Sequence, residues 1–236
     1  MEQINKAKSI SIWIFIVPFV AVNACLIVTT QFHSIIESQQ YRLPNMFPYL
    51  DGQASISRTA RFFPTYWIFK PAMFLTSYFL IRYWLYNRNI ISFFDSNNAN
   101  IKKFVYFGIA SAIALTIHSI FLGIKFDNDF YKLFRRVIML VFIIFEIVAQ
   151  AYLVKALYSI KEKIFSSINI KILKLKLFLV STLIIVAIVS IPIISLPGDN
   201  FFGFNLKHFK HALEWDYFLG VISFYLLTFF MWKKIN

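Results

Sequence analysis

Glycine, cysteine and acid are the scarce residues of this 236-residue chain. Six glycines leave too little material for a Gly-rich phosphate loop, and no G-x-S-x-G elbow occurs either. The one cysteine, Cys25, lies inside the first apolar run. That excludes an intramolecular disulfide, a DHHC-like cluster and a cysteine-based zinc site. Only 11 Asp and Glu stand against 24 Lys and Arg, for a formal net charge of +13. In a soluble protein that excess would suggest nucleic acid. Here the basic residues cluster in short segments between apolar runs, which is the pattern of membrane topology, so no nucleic-acid partner is expected.

Charge of either sign is thin: 15% of residues are charged and 59% hydrophobic, with mean hydropathy +0.66. Ordinary soluble domains carry about 25% charged residues. A soluble fold has no interior large enough to hide this apolar surface, and apolar segments of near-bilayer length recur along the chain. The sequence therefore predicts an all-α polytopic membrane protein, one domain of six transmembrane helices. The spans are placed at about 9–30, 62–86, 104–124, 137–157, 177–196 and 212–232. The first run is too long for a cleaved signal peptide and lacks an A-x-A-like exit, so it is read as a retained span. Residues 34–38 are expected to form a short interfacial helix, and the basic connector 161–176 to lie flat on anionic lipid. Pro197-Gly198 should end span five.

Six crossings put both termini on one side, and the excess of Lys and Arg there makes that side cytoplasmic. The segment 47–71, the loop around Asp127 and the linker carrying His208 then share the opposite face. This predicts a multi-pass protein of the endomembrane system or plasma membrane in a eukaryote, or of the inner membrane in a bacterium.

Polar residues against or inside such spans are costly, so each one asks for a partner or a role. Asp51, Arg58 and Arg61 precede span two. The two arginines, three residues apart, have the spacing to hold a lipid phosphate, or alternatively to anchor at an anionic interface. Lys70 lies about 12 Å inside span two. Its stem can snorkel outward, or its amine can pair with Glu146 or a lipid phosphate. Glu146 and Gln150 share a face of span four. Glu146 reads either as a proton or headgroup site, or as a carboxyl bonded to a neighbouring helix. His118, alone on span three, reads first as a packing residue. His208, His211 and Glu214 are spaced by three at the mouth of span six. Without an HExxH run they are not expected to hold a metal; they read as an interfacial polar cap, or as headgroup contacts, with His211 and Glu214 the candidates for acid–base work on lipid. No cofactor is expected.

Two stretches carry a resemblance. From Ser57 to Leu75 the chain reads S-R-T-A-R-F-F-P-T-Y-W-I-F-K-P-A-M-F-L. There Arg58 precedes the span, Phe62 and Phe63 follow closely and Pro71 comes thirteen residues after Arg58, with Pro48 upstream. In the last span Glu214 opens an aromatic-rich helix through Ala212, Leu213, Tyr217, Ser223, Phe224 and Thr228. Both resemble the Frag/DRAM/Sfk family, nearest its GPI-anchor lipid-remodelling branch, and the six-span layout agrees. The resemblance implies a role with membrane lipids, GPI or phospholipid, at the lumenal leaflet. It gives Arg58 and Glu214 as the positions to watch: Arg58 on a lipid phosphate, Glu214 and His211 on glycan or glycerol. Three activities follow as expectations: lipid presentation without covalent chemistry, acyl transfer or lipid hydrolysis through His211 and Glu214, and transport through a Lys70–Glu146 pair.

Overall fold

The protein is seen here as a computed structural model that describes residues 2–36, 39, 42–124, 128–195, 200–201 and 204–233. Six long helices dominate it: α1 (Glu2–Gln31), α4 (Thr65–Phe94), α5 (Asn100–Phe121), α6 (Asp129–Ser159), α7 (Ile170–Ser195) and α8 (Leu206–Met231). Two four-residue helices, α2 (Pro48–Asp51) and α3 (Ile56–Thr59), sit in the α1–α4 connection. A two-residue ribbon, β1 (Asn200–Phe201) antiparallel to β2 (Phe204–Asn205), precedes α8. All of α1, α5, α6, α7 and α8 are long and apolar enough to cross a bilayer. The sixth, α4, carries Lys70, Arg82 and Arg88, yet it packs between α1 and α5. This is a multi-pass α-helical membrane protein.

The helices form a closed ring. Its order is α1, α4, α5, α6, α7, α8 and back to α1, with the α6–α7 seam the thinnest. Close packing within the ring depends on small residues. At Gly108 of α5 a Cβ would stand 2.4 Å from the Trp84 ring of α4, so a side chain there would push the two helices apart. Trp84, Tyr83, Phe104 and Tyr225 then fill the centre at full burial. Outward positions remain oily: Val20, Tyr78, Ile144, Phe178 and Ile188 are all exposed. Bulky apolar surface in that arrangement needs hydrocarbon around it.

The start of α1 and the end of α8 lie at one face of the ring. Lys8 of α1 stands over the Phe229 ring near the end of α8, at 5.3 Å, and Ile168 bridges Trp232. At the same face Asn98 donates to Ser159 (2.8 Å) and Lys163 to the Phe94 carbonyl (2.8 Å). This face carries Lys161 and the exposed Lys163 of the α6–α7 connection.

Several boundaries differ from the sequence reading. The helices run past the hydrophobic spans because their ends continue into polar turns with good helix formers. Helix α6 starts at Asp129, capped by the Asn128 side chain, so residues placed in a loop before 137 are helical. Residues 125–127, including Asp127, lie outside the described set, as does Pro197-Gly198. A 3-10 turn at His33–Ile35 stands at the start of the expected interfacial helix, whose residues 37–38 lie outside the described set. The basic connector does not lie flat over its whole length: α7 begins at Ile170 and takes Lys171, Lys174 and Lys176 into a spanning helix. Lys176 is wholly buried, because its position on the helix turns it toward α8 while Lys171 and Lys174 face outward.

Candidate functional site

The face opposite the α6–α7 connection is organised by the connection between α1 and α4. Residues 47–60 fold back onto the first turns of α8. Gly52 closes α2 in the left-handed region (φ 59°), and its backbone touches α8 so closely that a Cβ would meet the His208 carbonyl oxygen at 1.8 Å. Trp215 Nε1 donates to the Ala54 carbonyl (2.8 Å), and the Tyr49 ring rests on the Trp215 ring at 5.0 Å. Tyr49 also donates to Asn23 of α1 (3.3 Å). Burial pushes the Tyr49 phenol up from its ordinary value, which keeps it a neutral donor.

This docking gathers Arg58, Arg61, His211 and Glu214 into one corner. Ser55 caps α3 by accepting from the Arg58 N–H, which orients the turn that carries both arginines. Arg61 donates through Nε to the Ser57 carbonyl (2.9 Å) and through its fork to Ser57 Oγ (3.2 Å). His211 Nδ1 lies 3.0 Å from the Gly52 carbonyl. A carbonyl can only accept, so Nδ1 carries the proton and Nε2 is left as the basic nitrogen when the ring is neutral. The Glu214 carboxylate is addressed by the backbone N–H groups of Ile56 and Ser57, with the Arg61 charge nearby, while Arg58 acts on His211. Arg61 and Glu214, 153 positions apart in the chain, are therefore neighbours.

The other expected residues are placed differently. Asp51 is taken up by its own turn: its carboxylate accepts from the Phe47 N–H (2.8 Å) and the Gln53 N–H (3.0 Å). Lys70 does not pair with Glu146. Its amine donates to the Ile120 carbonyl at the end of α5 (3.2 Å) and stands near the Tyr66 ring, so it reaches to a helix terminus. His211 and Glu214, expected to work as a pair, are each bound to a different backbone group of the α1–α4 connection, because the loop that orders them supplies nearer partners. Among the described residues, no three His, Cys, Asp or Glu side chains come together as metal ligands.

Below the rim the ring is not filled. A narrow apolar cavity is lined by Ile56 and Glu214 at one end, by Phe69, Met73 and Phe142 along its length, and by Glu146 and Tyr225 at the other. The surface it presents is apolar throughout. Glu146 lies at its inner end, wholly buried, and accepts from Ser111, Tyr225 and Gln150 (3.3 Å for the last). Gln150 in turn donates to the Val221 carbonyl (3.1 Å). Of the two readings of Glu146, the carboxyl bonded to neighbouring helices describes the geometry.

A comparison of the chain with known proteins finds no matching family model, curated protein or solved structure. The site therefore stands on its own geometry.

Sequence reasoning passed over a second buried polar group, inward of Glu146. Lys176 Nζ donates to Thr228 Oγ1 (2.7 Å) and stands 3.8 Å from the centre of the Phe224 ring. Tyr83 shares the same hydroxyl at 3.0 Å, and its ring meets that of Tyr225 edge-on at 4.9 Å. The signal was the phase of Lys176 on α7, hidden among the lysines of a basic run. Thr228 also donates to the Phe224 carbonyl, so it keeps a partner without the lysine. Replacing a buried charge by an apolar chain of similar length is often neutral or stabilising. Lys176→Met is expected to leave the melting temperature in detergent unchanged or higher. Lys176→Ala, which opens a void, should cost about 2 kcal/mol, read in the same thermal assay.

Proposed function

We propose that the protein binds a membrane lipid at the outer or lumenal leaflet, with the phosphate of its headgroup at Arg58 and Arg61 and an acyl chain in the cavity of the helical ring. One observation carries this reading: an apolar cavity opens directly beside a cluster of two arginines, a histidine and a glutamate. An amphipathic ligand needs that pairing of poles. A transported polar solute would need a hydrophilic path, and the wall of this cavity is apolar.

The resemblance to the Frag/DRAM/Sfk family adds to the proposal through Arg58 and Glu214, the two positions it singles out, and it would make the ligand a GPI lipid or a phospholipid. Presentation of lipid without covalent chemistry is the favoured form. A second reading has one feature in its favour: His211 donates from Nδ1 and so offers Nε2 as a base, as acyl transfer or lipid hydrolysis would require.

The test is the lipid that travels with the purified protein, identified by mass spectrometry. Arg58→Ala combined with Arg61→Ala should lower retained anionic phospholipid by about tenfold, the worth of one lost charge-assisted bond. Met73→Trp, which fills the cavity, should lower retention of every lipid. Unchanged lipid content in both variants would sink the reading. Turnover of lysolipid or acyl-CoA by the native protein, lost in His211→Ala, would move it to the enzymatic form.

A further inference from the structure

The outward side of α8 holds an acid that the ring does not use. Phe209, Asp216, Ser223 and Phe230 recur every seven residues, two turns of helix, and so share one stripe. Phe209 and Phe230 are exposed on it, and so is Asp216 between them. Among the described residues no hydrogen bond or ion pair reaches the Asp216 carboxylate. The Tyr49 phenol is close enough to feel its charge, but donates to Asn23 instead. Glu214 belongs to the other side of the helix. Two positions are about 200° of turn, so Asp216 points away from the cavity that Glu214 lines. A carboxylate turned to lipid on a spanning helix is costly unless a cation meets it.

A cation stands at a matching level on α4. Lys70 donates to the Ile120 carbonyl, which takes one of its three ammonium protons. Trp67 and Phe74, one turn to either side of it, are exposed, so this face of α4 also meets lipid. Lateral contact within a bilayer joins only groups at the same depth. Cys25 of α1 bonds the Thr65 carbonyl at the start of α4 (3.4 Å), which sets the two at one level. Lys70 lies five residues past Thr65, about 8 Å along the helix, and its stem carries the amine back toward the end of α5. Asn23, two residues before Cys25 and about 3 Å along α1, is joined through Tyr49 to the turn of α8 that carries Trp215 and Asp216. The two charges therefore lie near one level, on helices that flank α1.

We propose that a second copy of this chain docks on the outward face of α8, with its Lys70 ammonium paired to Asp216. Charge selects this occupant: the neighbour brings a cation at the right depth with donors to spare. A symmetric contact of α8 on α8 would instead set two Asp216 carboxylates against each other. Because acid and lysine stand on different helices, the contact is head-to-tail, and each copy offers its acid to one neighbour and its lysine to another. Ser223, next along the stripe, is small enough to let a helix approach.

The experiment follows energy transfer between donor-labelled and acceptor-labelled protein in phosphatidylcholine vesicles as the protein-to-lipid ratio rises. Asp216→Asn and Lys70→Met, each alone, should raise the half-maximal ratio about tenfold, the worth of one charge-assisted bond. Mixing donor-labelled Asp216→Asn with acceptor-labelled Lys70→Met should restore transfer, since one variant keeps the lysine and the other the acid. That recovery also reports that both variants are folded. Native protein that shows only the transfer of random mixing overturns the proposal. Transfer that survives either substitution overturns it too, because the copies then meet elsewhere. Loss in both single variants without recovery on mixing overturns the pairing of these two residues. A labelled polyleucine helix with one lysine that binds native protein but not Asp216→Asn, where the native copies do not associate, overturns the second copy as occupant and gives this face to a different membrane protein.

Discussion

Glu146→Ala is expected to destabilise the ring by about 2–4 kcal/mol, because it removes the one acceptor that serves Ser111, Tyr225 and Gln150 together. Those three donors belong to α5, α8 and α6, so the loss loosens three helices at once. Ser111 and Gln150 retain the Gly108 and Val221 carbonyls. Tyr225, wholly buried, is left with no acceptor among its described bonds. Glu146→Gln should behave differently. Its carbonyl can still accept from Tyr225 and Gln150, and its amide can donate to Ser111 Oγ, whose single proton then turns to the Gly108 carbonyl. Its cost should stay below about 1 kcal/mol. Thermal unfolding in detergent, followed by helical circular dichroism, reads both variants. Equal melting temperatures for Glu146→Ala and the native protein would show that the carboxyl does not hold the ring together.

Gly52→Ala is the second large effect, and it should fall on the site rather than on the ring. The left-handed φ of Gly52 is costly for any residue with a Cβ, by about 1–2 kcal/mol. The greater problem is contact: a Cβ 1.8 Å from the His208 carbonyl cannot be accommodated by any rotamer, since both partners are backbone. Residues 47–60 must lift away from α8. That movement breaks the bond from His211 to Gly52 and the bond from Trp215 to Ala54, and it carries Arg58 and Arg61 off the rim. The long helices keep their own packing. The expected outcome is a near-native helical spectrum, a red-shifted tryptophan emission as Trp215 is uncovered, and a loss of phospholipid retention of about tenfold or more. Full retention of lipid with a displaced loop would mean that the arginines do not hold the headgroup.

The two substitutions separate what holds the bundle from what serves a ligand. Glu146 is deep, fully bonded and central. Its polar group is answered by protein alone, and that is why a substitution there is felt as stability. The rim residues are bonded mainly to backbone of a docked loop, so a change there is felt first as a change of shape at the mouth of the cavity.

What the sequence determined is the class of molecule and the content of its helices. Runs of apolar residues of bilayer length follow from the need to satisfy every backbone group inside hydrocarbon, and that need is local, so it is written in consecutive residues. That the segment before α4 and the first turns of α8 come together was an expectation of the crossing parity, but which arginine faces Glu214 was not: Arg61 does, while Arg58 acts on His211. Tertiary structure decided the partners. Lys70 chose the Ile120 carbonyl over Glu146, Asp51 closed its own turn, and Lys176 turned inward from a run of otherwise exposed lysines. Each outcome depends on the rotation of a helix about its axis and on the order of helices around the ring. Those are set by packing between segments far apart in the chain, such as Gly108 against Trp84 and Gly52 against α8, and no periodicity within a single segment encodes them.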